Sequence, residues 1–125
     1  MSVHYRKERL DELLWQELNS IVLYELNDPR LDDIAVSSVD VARDLQTARV
    51  YITLLDDEAD ERSILRALDH ARGHLRSEIA VRVHLRRVPE LFFKIDRSYQ
   101  EARRVDAILA SLPAPGDSSA ESERP

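Results

Sequence analysis

The chain has 125 residues, of which 43% are hydrophobic, so it suits one domain with a packed core. It contains no cysteine, which excludes disulfides and cysteine-ligated metals. No apolar run is long enough to span a bilayer, and no apolar segment of the signal-peptide type follows the charged start of the chain. We therefore expect a cytoplasmic protein that does not enter a membrane.

The formal net charge is −6, but the charges are unevenly distributed. Residues 10–61 carry 14 acidic and three basic side chains, whereas residues 62–104 carry 11 basic and five acidic ones. This asymmetry predicts one basic face on an otherwise acidic protein, and phosphate binding depends more on a local patch than on net charge. In the alternative, the side chains of the basic and acidic halves simply form ion pairs with one another across the fold.

The first half of the chain predicts one helix and two strands. Apolar residues recur at helical spacing over about Arg6–Leu26. The segment Asn27–Pro29 ends this helix, because proline lacks an N–H donor and disfavours a helical residue before it. Val- and Ile-rich Asp33–Val41 predicts a strand, and Thr47–Leu55 alternates apolar and polar residues as a half-buried strand does.

A second helical stripe extends from Ile64 to Val83, after an acidic loop at residues 56–61. Gly73 lies in the middle of this stripe, although a glycine inside a helix costs roughly 1 kcal/mol relative to alanine. The glycine predicts a break, after which a second helix begins with free N–H donors that suit phosphate. In the alternative, the glycine only lets another helix or the sheet approach closely.

A third strand region, Leu85–Asp96, contains Pro89, so its regular part is expected at Leu91–Ile95. A capping-box pattern at Ser98–Glu101 predicts the start of a last helix. That helix is expected to present Ala102, Val105 and Leu109 to the core. The Pro- and Ser-rich residues 113–125 predict a disordered tail, which leaves residues 1–112 as an α+β domain with helices on one face of a small sheet.

No pattern supports an enzyme. His70 and His74 are one helical turn apart, but a zinc site needs a third ligand and no HExxH pattern is present. Glycine-rich nucleotide loops and Ser-centred elbows are also absent from the sequence. We expect no cofactor and no metal, and a hydrolase that uses the two histidines is the weakest alternative.

The basic residues predict a phosphate-binding surface. Arginines 62, 66, 72 and 76 avoid the apolar stripe of the second helix, so they should reach solvent. The arginine fork donates two hydrogen bonds at once to a phosphate. The expected contacts near the break are Arg72, Gly73, His74, Arg76, Arg86 and Arg87. Arg86 and Arg87 enter the strand with alternating orientation, so one of them should face away from the core. Arg6, Lys7 and Arg9 are expected to form a second contact.

Several short motifs, in this order, resemble the ribosome-binding factor A family over Val3–Leu112. They are Asp28-Pro29-Arg30, Asp44-Leu45, Ala48-Arg49-Val50-Tyr51, Ala71-Arg72-Gly73 and Leu85-Arg86-Arg87-Val88-Pro89-Glu90-Leu91-Phe92-Phe93. The resemblance implies a type II KH fold, α-β-β-α-α-β. It also implies that Ala71-Arg72-Gly73 forms a kink where related domains carry the GXXG loop that clamps a nucleic-acid backbone.

The same resemblance implies a function in ribosome biogenesis. The family binds precursor 30S subunits, contacts 16S rRNA, assists maturation of the 5′ end of that RNA and supports growth in the cold. It implies a functional link to a ribosome-associated GTPase, and we expect a monomer. The alternative, from a different class, is a KH-like adaptor that docks proteins without binding RNA. Salt dependence separates the two, because phosphate contacts weaken steeply with salt.

Overall fold

The computed structural model describes residues 6–56 and 58–112. Its elements are helix α1 (Lys7–Tyr24), a short 3-10 turn (Pro29–Leu31), strands β1 (Ile34–Val41) and β2 (Thr47–Leu54), helix α2 (Glu61–Arg82), strand β3 (Glu90–Ile95) and helix α3 (Ser98–Ser111). The predicted α+β class is confirmed, while the predicted tail at 113–125 lies outside the described residues. Within these residues no helix is both long and apolar enough to cross a bilayer.

The three strands form one mixed sheet in the order β1-β2-β3. The pair β1 and β2 is antiparallel, and β2 and β3 are parallel. A parallel pair needs a long crossover connection, which α2 supplies. The predicted alternation of the central strand is confirmed, since Ala48, Val50, Ile52 and Leu54 are buried in a core shared with α1 and α2.

Helix α1 closes the free edge of β1 with side-chain hydrogen bonds. Trp15 Nε1 donates to the carbonyl of Val36 at 2.7 Å, and the N–H of Val36 donates to Asn19 Oδ1 at 2.9 Å. Farther along the strand, the N–H of Val41 donates to Asp11 Oδ1 at 2.7 Å. An edge strand otherwise exposes unpaired backbone groups, so these bonds both fix α1 and protect the edge.

Helix α2 is continuous for 22 residues, so the predicted break at Gly73 is wrong, whereas a bend at Ala71-Arg72-Gly73 within the continuous helix stays a prediction. Gly73 does not have a positive φ, and no second helix N-terminus exists there. The reason is packing on both sides of the glycine. Leu68, Leu75 and Ile79 are all fully buried in the same core. Their burial outweighs the roughly 1 kcal/mol that one helical glycine costs.

The predicted capping box at Ser98–Glu101 is also wrong. Ser98 is the first residue of α3 rather than its cap, and its N–H donates to Asp96 Oδ1 at 2.9 Å. The N–H of Glu101 donates to the carbonyl of Arg97 at 2.8 Å. The cap is therefore supplied two residues before the helix begins, and hydrogen bonding to Ser98 lowers the pKa of Asp96.

Helix α3 does not join the core, which corrects another prediction. Ala102, Val105 and Leu109 are all exposed, the last two by 52% and 60%. Since α1 and α2 already fill the apolar face of the sheet, no buried surface is left for a third helix. Together with Ile108 and Leu112, these residues leave α3 with an exposed apolar stripe.

Candidate nucleic-acid interface

A groove of about 420 Å³ lies between α2 and β3. Its walls combine basic side chains with an apolar surface. The lining residues are Arg62, Leu65, Arg66, Asp69, Arg72 and Phe93. Three arginines against one aspartate leave the groove positively charged, so it favours an anionic ligand.

Arg72 is the most constrained arginine of the groove. Its Nη2 lies 2.8 Å from Asp69 Oδ1, one helical turn earlier. Its guanidinium carbon lies 5.7 Å from the centroid of the Phe93 ring, within the range of a cation–π contact. Its Nε is buried and has no hydrogen-bond partner among the described residues. The stack therefore positions a planar cation beside an aromatic ring at the groove.

Arg76 lies against the segment that leads into β3. Its Nη2 donates to the carbonyl of Val88 at 3.1 Å. Arg86 and Arg87 precede this carbonyl and are both exposed. They lie in the connection before the strand rather than in it, because β3 begins only at Glu90, so the predicted alternation is wrong and both of them face outward. Arg76 is thus brought to the same segment as these two arginines.

Gly73 is exposed on α2, and its environment is open. A Cβ atom added at Gly73 would meet no atom within 4 Å apart from its own neighbours and helix backbone. No contact within the described chain therefore requires a glycine at this position. His70 and His74 are exposed beside it. Within residues 6–56 and 58–112, no three or more His, Cys, Asp or Glu side chains are placed to hold a metal.

The expected second contact, at the start of α1, is separate from the groove. Lys7 Nζ is 2.8 Å from Asp11 Oδ2 and 2.7 Å from Asp40 Oδ1, and these partners raise its pKa. Asp40 lies on β1, whereas Arg72 packs near β3 at the opposite edge of the sheet. Arg6 and Arg9 are exposed, but this end of α1 lies at the β1 edge of the sheet, whereas the groove lies at the β3 edge.

Two further arginines of residues 62–104 form ion pairs within the fold. Arg82 contacts Glu17, Glu25 and Glu78 and so ties the end of α2 to α1. Arg97 pairs with Glu61 through both of its terminal nitrogens, across the start of α2. The alternative in which opposite charges pair across the fold therefore holds for these two arginines, but not for the groove.

The start of α2 has the opposite electrostatic character. A second groove of about 370 Å³ there is lined by acidic residues, among them Asp33, Asp56, Glu58 and Asp60. Asp60 caps the helix by accepting from the N–H groups of Arg62 and Ser63, and its hydrogen bonds with Ser63 lower its pKa. An approaching polyanion is therefore repelled from the side of α2 that carries the acidic groove and attracted to the side that carries Arg62, Arg66 and Arg72.

The sequence prediction missed Phe93 as part of this surface. The alternation of β3 could indicate that Phe93 points toward the helices, but not that an arginine of α2 lies over its ring. Arg62 and Arg66 were expected only to reach solvent, and they line the groove together with Arg72.

The fold and the groove define a small α+β domain with a basic helix surface. The family model of ribosome-binding factor A matches residues 6–109, so the chain belongs to that family. The family consists of ribosome assembly factors that are not enzymes. The expected family and the expected absence of an enzymatic activity are thereby confirmed.

Solved structures agree with this membership. The crystal structure of ribosome-binding factor A from Thermus thermophilus has a TM-score of 0.67 and 33% sequence identity, covering 74% of this chain and 97% of that one. The solution structure of a putative ribosome binding factor A from Thermotoga maritima has a TM-score of 0.65 and 31% identity, covering 78% and 93%. The KH-like fold is therefore confirmed.

A third related structure has been placed in a ribosomal context. It is a homology model of the Thermus thermophilus factor fitted into a cryo-EM map of a 30S–RbfA complex. Its TM-score is 0.54 at 32% identity, with coverage of 74% of this chain and 92% of that one.

Proposed function

We propose that this chain binds the 30S ribosomal subunit by contacting 16S rRNA with the basic surface of α2. The positively charged groove with its Arg72–Phe93 stack carries the proposal. Membership of the ribosome-binding factor A family and the 30S complex of a relative support it. Arginine forks suit phosphate oxygens, and the ring offers an apolar wall to a ribose or base.

The contact residues are those that the structure leaves accessible around the groove. We assign phosphate contacts to Arg62, Arg66, Arg72 and Arg76, and to Arg86 and Arg87 next to Val88. Gly73 and His74 lie on the same helix, where the missing side chain of the glycine lets an RNA backbone approach α2 closely. Arg6, Lys7 and Arg9 lie at the β1 edge rather than at the groove, so we keep them as a separate, second contact.

Co-sedimentation with purified 30S subunits tests the proposal. Replacing Arg72 and Arg76 by glutamate should weaken binding more than about tenfold, because each lost phosphate contact becomes a repulsion. Arg86→Glu with Arg87→Glu should do the same, and both of these side chains are exposed before β3 begins. The matched control is Arg43→Glu with Arg104→Glu, which makes the same charge change on exposed residues that do not line the groove.

The outcome is decided by comparing these double variants. Thermal melts show whether each variant is folded, and surface charge changes seldom cost more than about 0.5 kcal/mol. Equal binding by the control and both groove variants would place the contact on another surface.

We further propose that binding assists maturation of the 16S rRNA 5′ end and that a ribosome-associated GTPase promotes release. Both belong to late assembly of the small subunit, where the family acts. In cells that depend on the Arg72 and Arg76 double variant, the ratio of precursor to mature 5′ ends should rise. An unchanged ratio, at a level of variant equal to that of the wild type, would remove the processing role.

A second candidate function is protein docking without RNA contact. The exposed apolar stripe of α3, formed by Val105, Ile108, Leu109 and Leu112, favours it. Raising salt from about 50 to 200 mM should reduce binding by orders of magnitude if several phosphates are contacted. A salt-insensitive affinity would favour docking through α3 instead.

A further inference from the structure

The sheet face opposite α1 and α2 carries two aromatic residues beside two cations. The register of β2 and β3 pairs Arg49 with Phe92 and Tyr51 with Lys94. Residues that alternate with them along both strands are buried or partly buried against the helices, so these four lie on the other face. They form a two-by-two array in which each ring has a basic residue as its direct cross-strand neighbour.

This array is accessible in the described structure. Phe92 is 41% exposed and Tyr51 is partly exposed, and the face around them is not covered by α1 or α2. Lys94 is exposed and makes no ion pair with a described residue. Arg49 Nη2 lies 2.9 Å from Asp40 Oδ2, but Asp40 also binds Lys7, so a single carboxylate is shared by two cations.

The spacing of the rings suits two successive nucleotides. Tyr51 and Phe92 are diagonal neighbours on adjacent strands, a relation that separates side chains by about 7–8 Å. Adjacent bases of an unstacked single strand can spread to such a distance, and open sheets bind RNA by stacking bases on aromatic side chains. Asp40 lies on the neighbouring strand, Glu90 at the start of β3 and Asp96 directly after its end, so the acidic groups are at the margin of the array.

We propose that this sheet face binds two adjacent unpaired nucleotides of RNA, with one base on Tyr51 and the next on Phe92. Arg49 and Lys94 contact the phosphates that flank these bases. The site is separate from the α2 groove, so the domain would hold RNA on two opposite faces. The choice of RNA over DNA rests on the proposed function, but binding to the sheet does not require the groove to be an RNA contact.

An NMR titration of the full chain with a non-self-complementary RNA hexanucleotide tests this proposal. Amide shifts should appear in β2 and β3. The affinity of Phe92→Ala should fall about 5- to 150-fold, which corresponds to the loss of one stacked base. Phe92→Leu should also bind weakly, since it keeps apolar volume but has no ring face. The control is Val81→Ala, which truncates an apolar residue that is 71% exposed on α2.

A hexamer of the same ribose-phosphate backbone without bases separates stacking from charge. It should bind much more weakly than the hexanucleotide. Equal binding of the two, shifts confined to α2, or no binding at millimolar RNA would each overturn the sheet site. Concentration-dependent shifts around Phe92 in the absence of RNA would overturn it too, because a second copy would then occupy the face. None of these results affects the 30S co-sedimentation of the groove variants, so the two proposals fail separately.

Discussion

The guanidinium of Arg72 lies over the ring of Phe93, with 5.7 Å between the guanidinium carbon and the ring centroid. This contact joins the middle of α2 to the edge strand β3 and defines one wall of the basic groove. Asp69 holds the same guanidinium from the side, at 2.8 Å. A residue expected to bind phosphate is therefore also a tertiary contact.

A double-mutant cycle on this pair measures the stack. Arg72→Ala and Phe93→Leu should be coupled by about 0.5–1 kcal/mol in urea denaturation, as expected for a cation–π contact that is only partly buried. A coupling energy near zero would mean that the ring and the guanidinium are merely adjacent. Arg66→Ala with Phe93→Leu serves as the control, since Arg66 lines the groove without a ring contact.

Gly73→Ala should stabilise the protein while weakening its binding to the 30S subunit. An added methyl group meets no neighbouring atom, and Gly73 already has an ordinary helical φ. Alanine therefore gains up to about 1 kcal/mol of helix propensity. Thermal melts and co-sedimentation, with Ser77→Ala as an exposed control on α2, check both effects. If both stability and binding are unchanged, the glycine has no role in the proposed contact.

The edge of β1 should depend strongly on Asn19. Asn19→Ala leaves the N–H of Val36 without its acceptor, which costs about 1–3 kcal/mol where water does not replace it. Trp15→Phe removes the donor to the carbonyl of the same residue and should cost about 1 kcal/mol. Gln16→Ala, at an exposed position of α1, should have little effect on the free energy of unfolding. A smaller loss for Asn19→Ala than for Gln16→Ala would contradict this account of the edge.

The Arg82 cluster predicts a pH-dependent stability. The Arg82 guanidinium lowers the pKa of Glu25 below its usual value, so this contribution to stability is present above the unfolded pKa of about 4.3. It is lost as the pH falls through the lower, folded pKa. Arg82→Gln should therefore be clearly less stable than the wild type at pH 7, because three glutamates then remain close together.

Urea denaturation at several pH values between 7 and 3 checks this prediction. The difference in unfolding free energy between the two proteins should shrink as the pH falls below about 4.3. Arg104→Gln is the control, since Arg104 is exposed on α3. A difference that stays constant down to the lowest pH would show that Arg82 acts through packing rather than charge.

Local pattern alone determined most of the helices and strands of this protein, and the buried faces of α1 and β2. The helical spacing in α1 and the period of two in β2 each predicted which side chains are buried, because an apolar face must be removed from water whatever its partner is. The short motifs and their order also indicated the family, since the residues within each motif are adjacent in the chain.

Only the tertiary structure decided how those elements meet. Gly73 favours a helix break locally, but burial of Leu68 and Leu75 in one core keeps α2 continuous. The apolar residues of α3 stay exposed because α1 and α2 already cover the one apolar face of the sheet. Arg72 meets Phe93 only through the crossover that brings β3 alongside β2. Such contacts join residues far apart in the chain, so local periodicity does not predict their geometry.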